Sequence, residues 1–191
     1  MKTRILRASA LLAAACLLTS CANPVLEQNG TSMIGAPGMR TLVNLHPDPL
    51  RAKVYAVNYQ QAGLIPVCSP VELLEITRKA LRFRVEKTGR EYHYLYQKAA
   101  AEPFPDHLKR FFGRDCPAAE IESLSALDRK GIEVGKPQIG MTKRGIAIAM
   151  GYPPRHITPN LESDQWLYWR SRMNRLMITF DQEGKVSDIR D

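Results

Sequence analysis

The stretch IGMTKRGIAIAMGYP, Ile139 to Pro153, decides how the second half of this chain folds. Thr142 is a good N-cap, because its hydroxyl can accept a backbone N–H of the first helical turn. Ile146, Ala149 and Met150 then fall on one face. Gly151 suits a positive-φ stop, and Pro153 forbids continuation. The spacing predicts a helix of about two turns over 142–150. Gly145 inside it costs about 1 kcal/mol relative to alanine, so tertiary packing must hold the helix.

Working outward, Pro117 suits a first helical position. Ile121, Leu124 and Leu127 recur at threes until Gly131, which predicts a helix between them. Asp106 to Phe112 reads as a shorter amphipathic helix stopped by Gly113. On the other side, Asp164 to Arg170 alternates, which puts Trp166 and Tyr168 on one face and Trp169 on the other. Leu176 to Phe180 is a second strand, Asp181 to Gly184 a hairpin turn, and Val186 to Ile189 a third strand. Two helices followed by a three-stranded meander make a small α+β layer fold.

Those blocks resemble a known family. Gly140-Met141-Thr142, Ile146, Met150-Gly151 and Pro153, then Asp164-x-Trp166-x-Tyr168, then Phe180, Gly184, Val186 and Ile189 follow the order of the SmpA/OmlA (BamE-like) domain. The resemblance implies an αα-βββ layer in an outer-membrane lipoprotein. It further implies a non-catalytic role, binding partner lipoproteins and phosphatidylglycerol in barrel assembly and envelope integrity. The family's surface maps onto Ile139, Gly140, Met141 and Thr142. Lys143 and Arg144 stand in the same first turn. A helix N-terminus attracts anions, so this corner is a candidate headgroup site; plain solvated surface is the alternative. Trp169 is a candidate partner contact, since interface hot spots favour Trp. BamE-type proteins carry a short Tyr/Pro-Asp/Gln-Gly-Asn segment after the anchor. Here only His46-Pro47-Asp48 stands in that region, and a β-rich stretch intervenes.

Lys53 to Ala99 has period two. Leu81, Phe83 and Val85 alternate with Arg82, Arg84 and Glu86. After a Glu86–Gly89 turn, Tyr92, Tyr94 and Tyr96 alternate with His93 and Leu95. Several short strands predict a small curled sheet or barrel, similar in length and rhythm to a bacterial SH3-like module. The tyrosine row reads as core in preference to a binding face. Ala22 to Pro49 is rich in Asn, Gly, Pro, Ser and Thr, and reads as a flexible tether with an end-to-end distance of about 30 Å.

The first residues set the address. Lys2, Arg4 and Arg7 precede an apolar run from Ala8 to Leu18, which is shorter than the ~20 residues a membrane span takes. Leu18-Thr19-Ser20-Cys21 matches the lipobox of bacterial lipoproteins. Cleavage before Cys21 and lipidation (palmitate among the acyl chains) on its sulfur are the expectation. Ala22 points to the outer membrane, on its periplasmic face. The expected organisation is a signal peptide (1–20), lipidated Cys21 with the tether (21–50), a β-rich SH3-like module (51–115) and the SmpA/OmlA-like domain (116–191).

Removing the three signal cations brings the formal charge from +8 to +5. That is mild, and no nucleic-acid motif accompanies it. Cys68 and Cys116 remain after export into an oxidising space, which favours a disulfide. Closing a loop of that size is worth about 4 kcal/mol. A reactive thiol or a metal pair is the competing reading, although no CxxC, HxH or HExxH spacing occurs. No phosphate loop, GxSxG or cofactor motif is present, and a Cys68/His93 nucleophile pair is the enzymatic alternative. The leading expectation is a scaffold or interaction lipoprotein that supports outer-membrane protein assembly or envelope integrity. The runners-up are a peptidoglycan-binding lipoprotein and an inhibitor of the β-lactamase-inhibitor type.

Overall fold

Alternation in the middle of the chain builds a four-stranded sheet. The computed structural model describes residues 23–171 and 173–191. The signal peptide and Cys21 lie outside them. Strands β5 (Val71–Ile76), β6 (Ala80–Val85) and β7 (Glu91–Leu95) form an antiparallel meander. Leu73, Leu81, Phe83, Tyr92 and Tyr94 point into the core. Arg82 and Arg84 stand on the other face, ion-paired with Glu72, Glu75 and Glu91. The fourth strand, β4 (Lys53–Tyr55), joins β7 in parallel. The strand order is β4-β7-β6-β5, a four-stranded row where a small curled sheet or barrel was expected. Parallel addition needs a long crossover, and a period-two pattern carries no sign of it.

Residues 26–49 are not a tether. Leu26, Met33, Met39, Val43 and Leu45 are buried in the first core. The segment forms a hairpin, β1 (Glu27–Gln28) with β2 (Thr31–Ser32), and then runs beside β5: Gly35 N–H donates to Leu73 O, and Val71 N–H to Met39 O. It continues as β3 (Arg40–Thr41). The Pro and Gly residues that suggested flexibility occupy tight turns, with Gly35 and Gly38 at φ 68° and 75°. Met39, Thr41 and Val43 are buried alternately along it, and burial is continuous from Val43 to Asp48.

The helix expected over 106–112 lies earlier, as α1 (Phe104–Lys109). Phe112–Gly113 is strand β8, paired with β3. Here tertiary pairing with Arg40 and Thr41 overrides the helical spacing.

The C-terminal layer is α+β as expected. The helix predicted from Pro117 to Gly131 is two helices, α2 (Ala118–Ser123) and α3 (Ala126–Val134). Leu124 is extended, and the Ser125 hydroxyl caps α3 by accepting the Asp128 N–H. Gly131 is interior because Met141 packs there; a Cβ would lie 2.3 Å from its sulfur. Gly135, at φ 64°, is the stop. Helix α4 (Lys143–Met150) is framed as predicted, with the Thr142 hydroxyl accepting the Gly145 N–H and Gly151 at φ 73°. The meander β9 (Gln165–Trp169), β10 (Arg175–Phe180) and β11 (Val186–Arg190) packs Trp166, Tyr168, Leu176, Ile178, Phe180 and Val186 under Ile146, Ile148 and Met150.

Candidate functional site

The corner at Ile139–Arg144 is closed from inside. Asp128 of α3 is fully buried, and its Oδ1 accepts the Thr142 N–H at 2.8 Å and the Thr142 hydroxyl at 3.2 Å. The Ser125 hydroxyl donates to its Oδ2 at 2.8 Å. The anion that an α4 N-terminus attracts is therefore this carboxylate. Gly145 makes the room, since a Cβ there would sit 2.0 Å from Asp128 Oδ1. Lys143 and Arg144 are engaged as well. Lys143 Nζ donates to Glu162 O at 2.7 Å and stands 5.4 Å from the Phe180 ring. Arg144 holds Glu120 through two 2.6 Å hydrogen bonds, and those bonds keep the Glu120 carboxyl below its ordinary range. Met141 is core, Gly140 takes φ 88°, and Ile139 is exposed. The structure thus brings the six residues together as a capped corner, already filled, rather than as an open headgroup site.

The opposite end of α4 meets the first module. The last carbonyls of a helix have no intrahelical partner. Here Asn44 N–H donates to Ile148 O, and Asn44 Nδ2 to Ala149 O and Ile132 O. His46 Nε2 lies 3.0 Å from Ala149 O, which can only accept, so this nitrogen carries the proton. Asn58 Nδ2 reaches Met150 O and Tyr152 O, each at 2.8 Å, and Gln60 Nε2 adds a bond to Met150 O. Gly151 keeps this arrangement possible, because a Cβ would lie 3.0 Å from Asn58 Nδ2. Asn44 and His46 were expected in the tether; the apolar Leu42, Val43 and Leu45 around them were the available signal.

Beside this seam a cleft of about 400 Å³ opens on the end of the second core. Buried His46, Met150 and Leu176 line it together with half-buried Ile189 and Pro137. Exposed Lys136 and Arg170, and the amides of Gln60 and Gln61, complete the lining. Burial pushes the His46 imidazole below its ordinary value, against its backbone hydrogen bond.

A second polar cluster is sealed in the first core. Tyr94 Oη and His107 Nε2 are 2.7 Å apart, as are His107 Nδ1 and Glu102 Oε1. Arg110 and Arg155 also bind the Glu102 carboxylate. Burial alone would raise Glu102; its bonds to His107 and Arg110 win and hold it low. Burial keeps His107 low despite Glu102. A neutral imidazole therefore donates from Nδ1 to the carboxylate and accepts the Tyr94 hydroxyl at Nε2. Tyr94 and His107 are 1% and 3% exposed, which bars them from any substrate.

Cys68 and Cys116 form a disulfide with Cα atoms 5.2 Å apart, so Cys68 offers no thiolate to His93. Trp169 is half-buried. Its carbonyl accepts the Gln60 N–H at 2.7 Å, and Arg175 stacks 4.7 Å from its ring. It serves the seam between the modules instead of forming a free patch. Comparison with family profiles, with characterised proteins and with solved structures returns no match.

Proposed function

We propose that this chain is a lipid-anchored interaction protein on the periplasmic face of the outer membrane. On this reading it acts without catalysis, as a scaffold in outer-membrane protein assembly or envelope integrity. The Leu18–Cys21 lipobox supplies the anchor. The observation that carries the reading is the position of Leu26, 1% exposed and only five residues beyond Cys21. Five residues span at most about 17 Å. An acylated Cys21 would therefore hold the folded body against the bilayer surface, where a scaffold meets membrane-bound partners. The SmpA/OmlA-like blocks, all of which fall in the C-terminal layer, support a partner in that machinery.

The test uses an alkynyl palmitate label in cells, followed by membrane fractionation and cross-linked pull-down. The reading expects label on the native chain and none on Cys21→Ala, outer-membrane recovery, and captured assembly subunits. An unlabelled native chain overturns the anchor. Capture with peptidoglycan sacculi and no assembly subunit overturns the assembly role.

A further inference from the structure

We propose that the cleft between the two modules binds a single-chain amphiphile with an anionic head, a carboxylate or a phosphate. This goes beyond the scaffold reading and does not depend on the lipid anchor. Its volume of about 400 Å³ lies in the range of small-molecule sites. The floor is apolar where it is deepest: Met150 and Leu176 are each 1% exposed, and Ile189 and Pro137 extend that surface. The charged groups stand at the mouth. Lys136 follows the stop of α3, and Arg170 follows β9, so they come after different elements. Among the described residues, no acidic side chain lines the cleft. Arg170 shares its charge with Asp191 at 2.9 Å, whereas Lys136 has no ion pair among the described residues. The amide groups of Gln60 and Gln61 are turned into the protein, donating to Met150 O and Arg170 O, so the head is left to Lys136 and Arg170; Leu64, itself 37% exposed, packs on Gly135 beside Lys136.

An apolar floor under a cationic rim selects a ligand of the complementary polarity. A neutral apolar molecule would leave Lys136 unpaired, and a small free anion would leave the floor wet. An acyl chain with a charged end satisfies both parts.

Among the described residues, every buried core residue lies between Leu26 and Val186. The chain from residue 21 onward, with Cys21→Ser, therefore keeps both cores and can be studied without detergent. Methionine methyl NMR places the readout in the cleft, because Met150 lines it while Met33 and Met39 belong to the other core. The probes are dodecanoate, dodecyl phosphate and uncharged dodecanol, each below its micelle concentration. The expected result is a saturable shift of Met150, with at least one anion bound about tenfold more tightly than dodecanol. Lys136→Glu with Arg170→Glu should erase that preference, and Ala62→Trp, at an exposed lining position, should block the shift. Stronger binding of dodecanoate than of the phosphate identifies a fatty carboxylate as the ligand class; the reverse identifies a phosphate head. No saturable Met150 shift with either anion overturns the proposal, as does an anion preference that survives charge reversal. Lys136→Glu alone settles the matter should the double variant not fold.

Discussion

At Gly145 helix propensity and packing pull in opposite directions. Propensity assigns alanine an advantage of about 1 kcal/mol in a helix interior. The Asp128 carboxylate occupies the place a methyl group would take. Gly145→Ala is therefore expected to destabilise by about 1–3 kcal/mol, the usual range for overpacking, read as a lower urea midpoint. Asp128→Ala leaves the Thr142 N–H without its acceptor and should cost about 1–3 kcal/mol. In that background Gly145→Ala should cost less than it does alone, because the carboxylate it clashes with is gone. His46 and His107 supply a second prediction. Both are held below the ordinary value of 6.5 in the folded chain. As pH falls through 6.5 the unfolded chain takes up protons that the native chain refuses, so stability drops. Melting temperature should therefore decline from pH 7 toward pH 5, before the carboxylates Glu91, Glu102 and Glu120, also held low, contribute nearer 4.5. Replacing both histidines with glutamine should flatten that decline.

Helix α4 is eight residues long, too short to persist alone in water. Its two ends are capped by different parts of the chain: Asp128 at one, and Asn44, His46, Asn58 and Gln60 at the other. Asn58→Ala would strip donors from two carbonyls 92 and 94 residues away. We expect a loss of about 1–3 kcal/mol, visible as a shift of one shared unfolding transition. The frame of this helix was legible in the sequence because Thr142 and Gly151 act locally. The C-terminal strands were legible for the same reason, since alternation and the Asp181–Gly184 turn are short-range signals. What escaped the sequence was non-local. Gly131 looked like a terminator, yet it marks where Met141 lands. Phe112 looked helical, yet it pairs with Thr41. Lys143 and Arg144 looked free, yet Glu162 and Glu120, far along the chain, engage them. The cleft drew on residues from both halves and had no contiguous pattern to read.

On the scale of the whole molecule, the two modules share a seam made of buried, hydrogen-bonded groups, with Tyr152 packed against both cores. They should unfold together. The disulfide adds to this, because Cys68 follows the first module's 40–67 segment and Cys116 opens the second. Cys68→Ser with Cys116→Ser should lower stability by about 4 kcal/mol on the chain-entropy estimate for a loop of this size, measured by urea denaturation beside the reduced native chain.

That bond also fixes how the protein answers tension. A pull between the membrane end and Asp191 first reaches the β1–β2 hairpin, only two residue pairs long, which opens pair by pair. Deeper extension meets the cross-link, which encloses 48 residues of separation. At ~3.4 Å per residue, about 16 nm of contour stays out of reach of the force until the sulfurs are reduced. Single-molecule stretching should find the oxidised chain shorter by that amount. The hairpin then behaves as a mechanical fuse, giving way with Leu26 drawn out of the first core before the second core and the cleft are loaded.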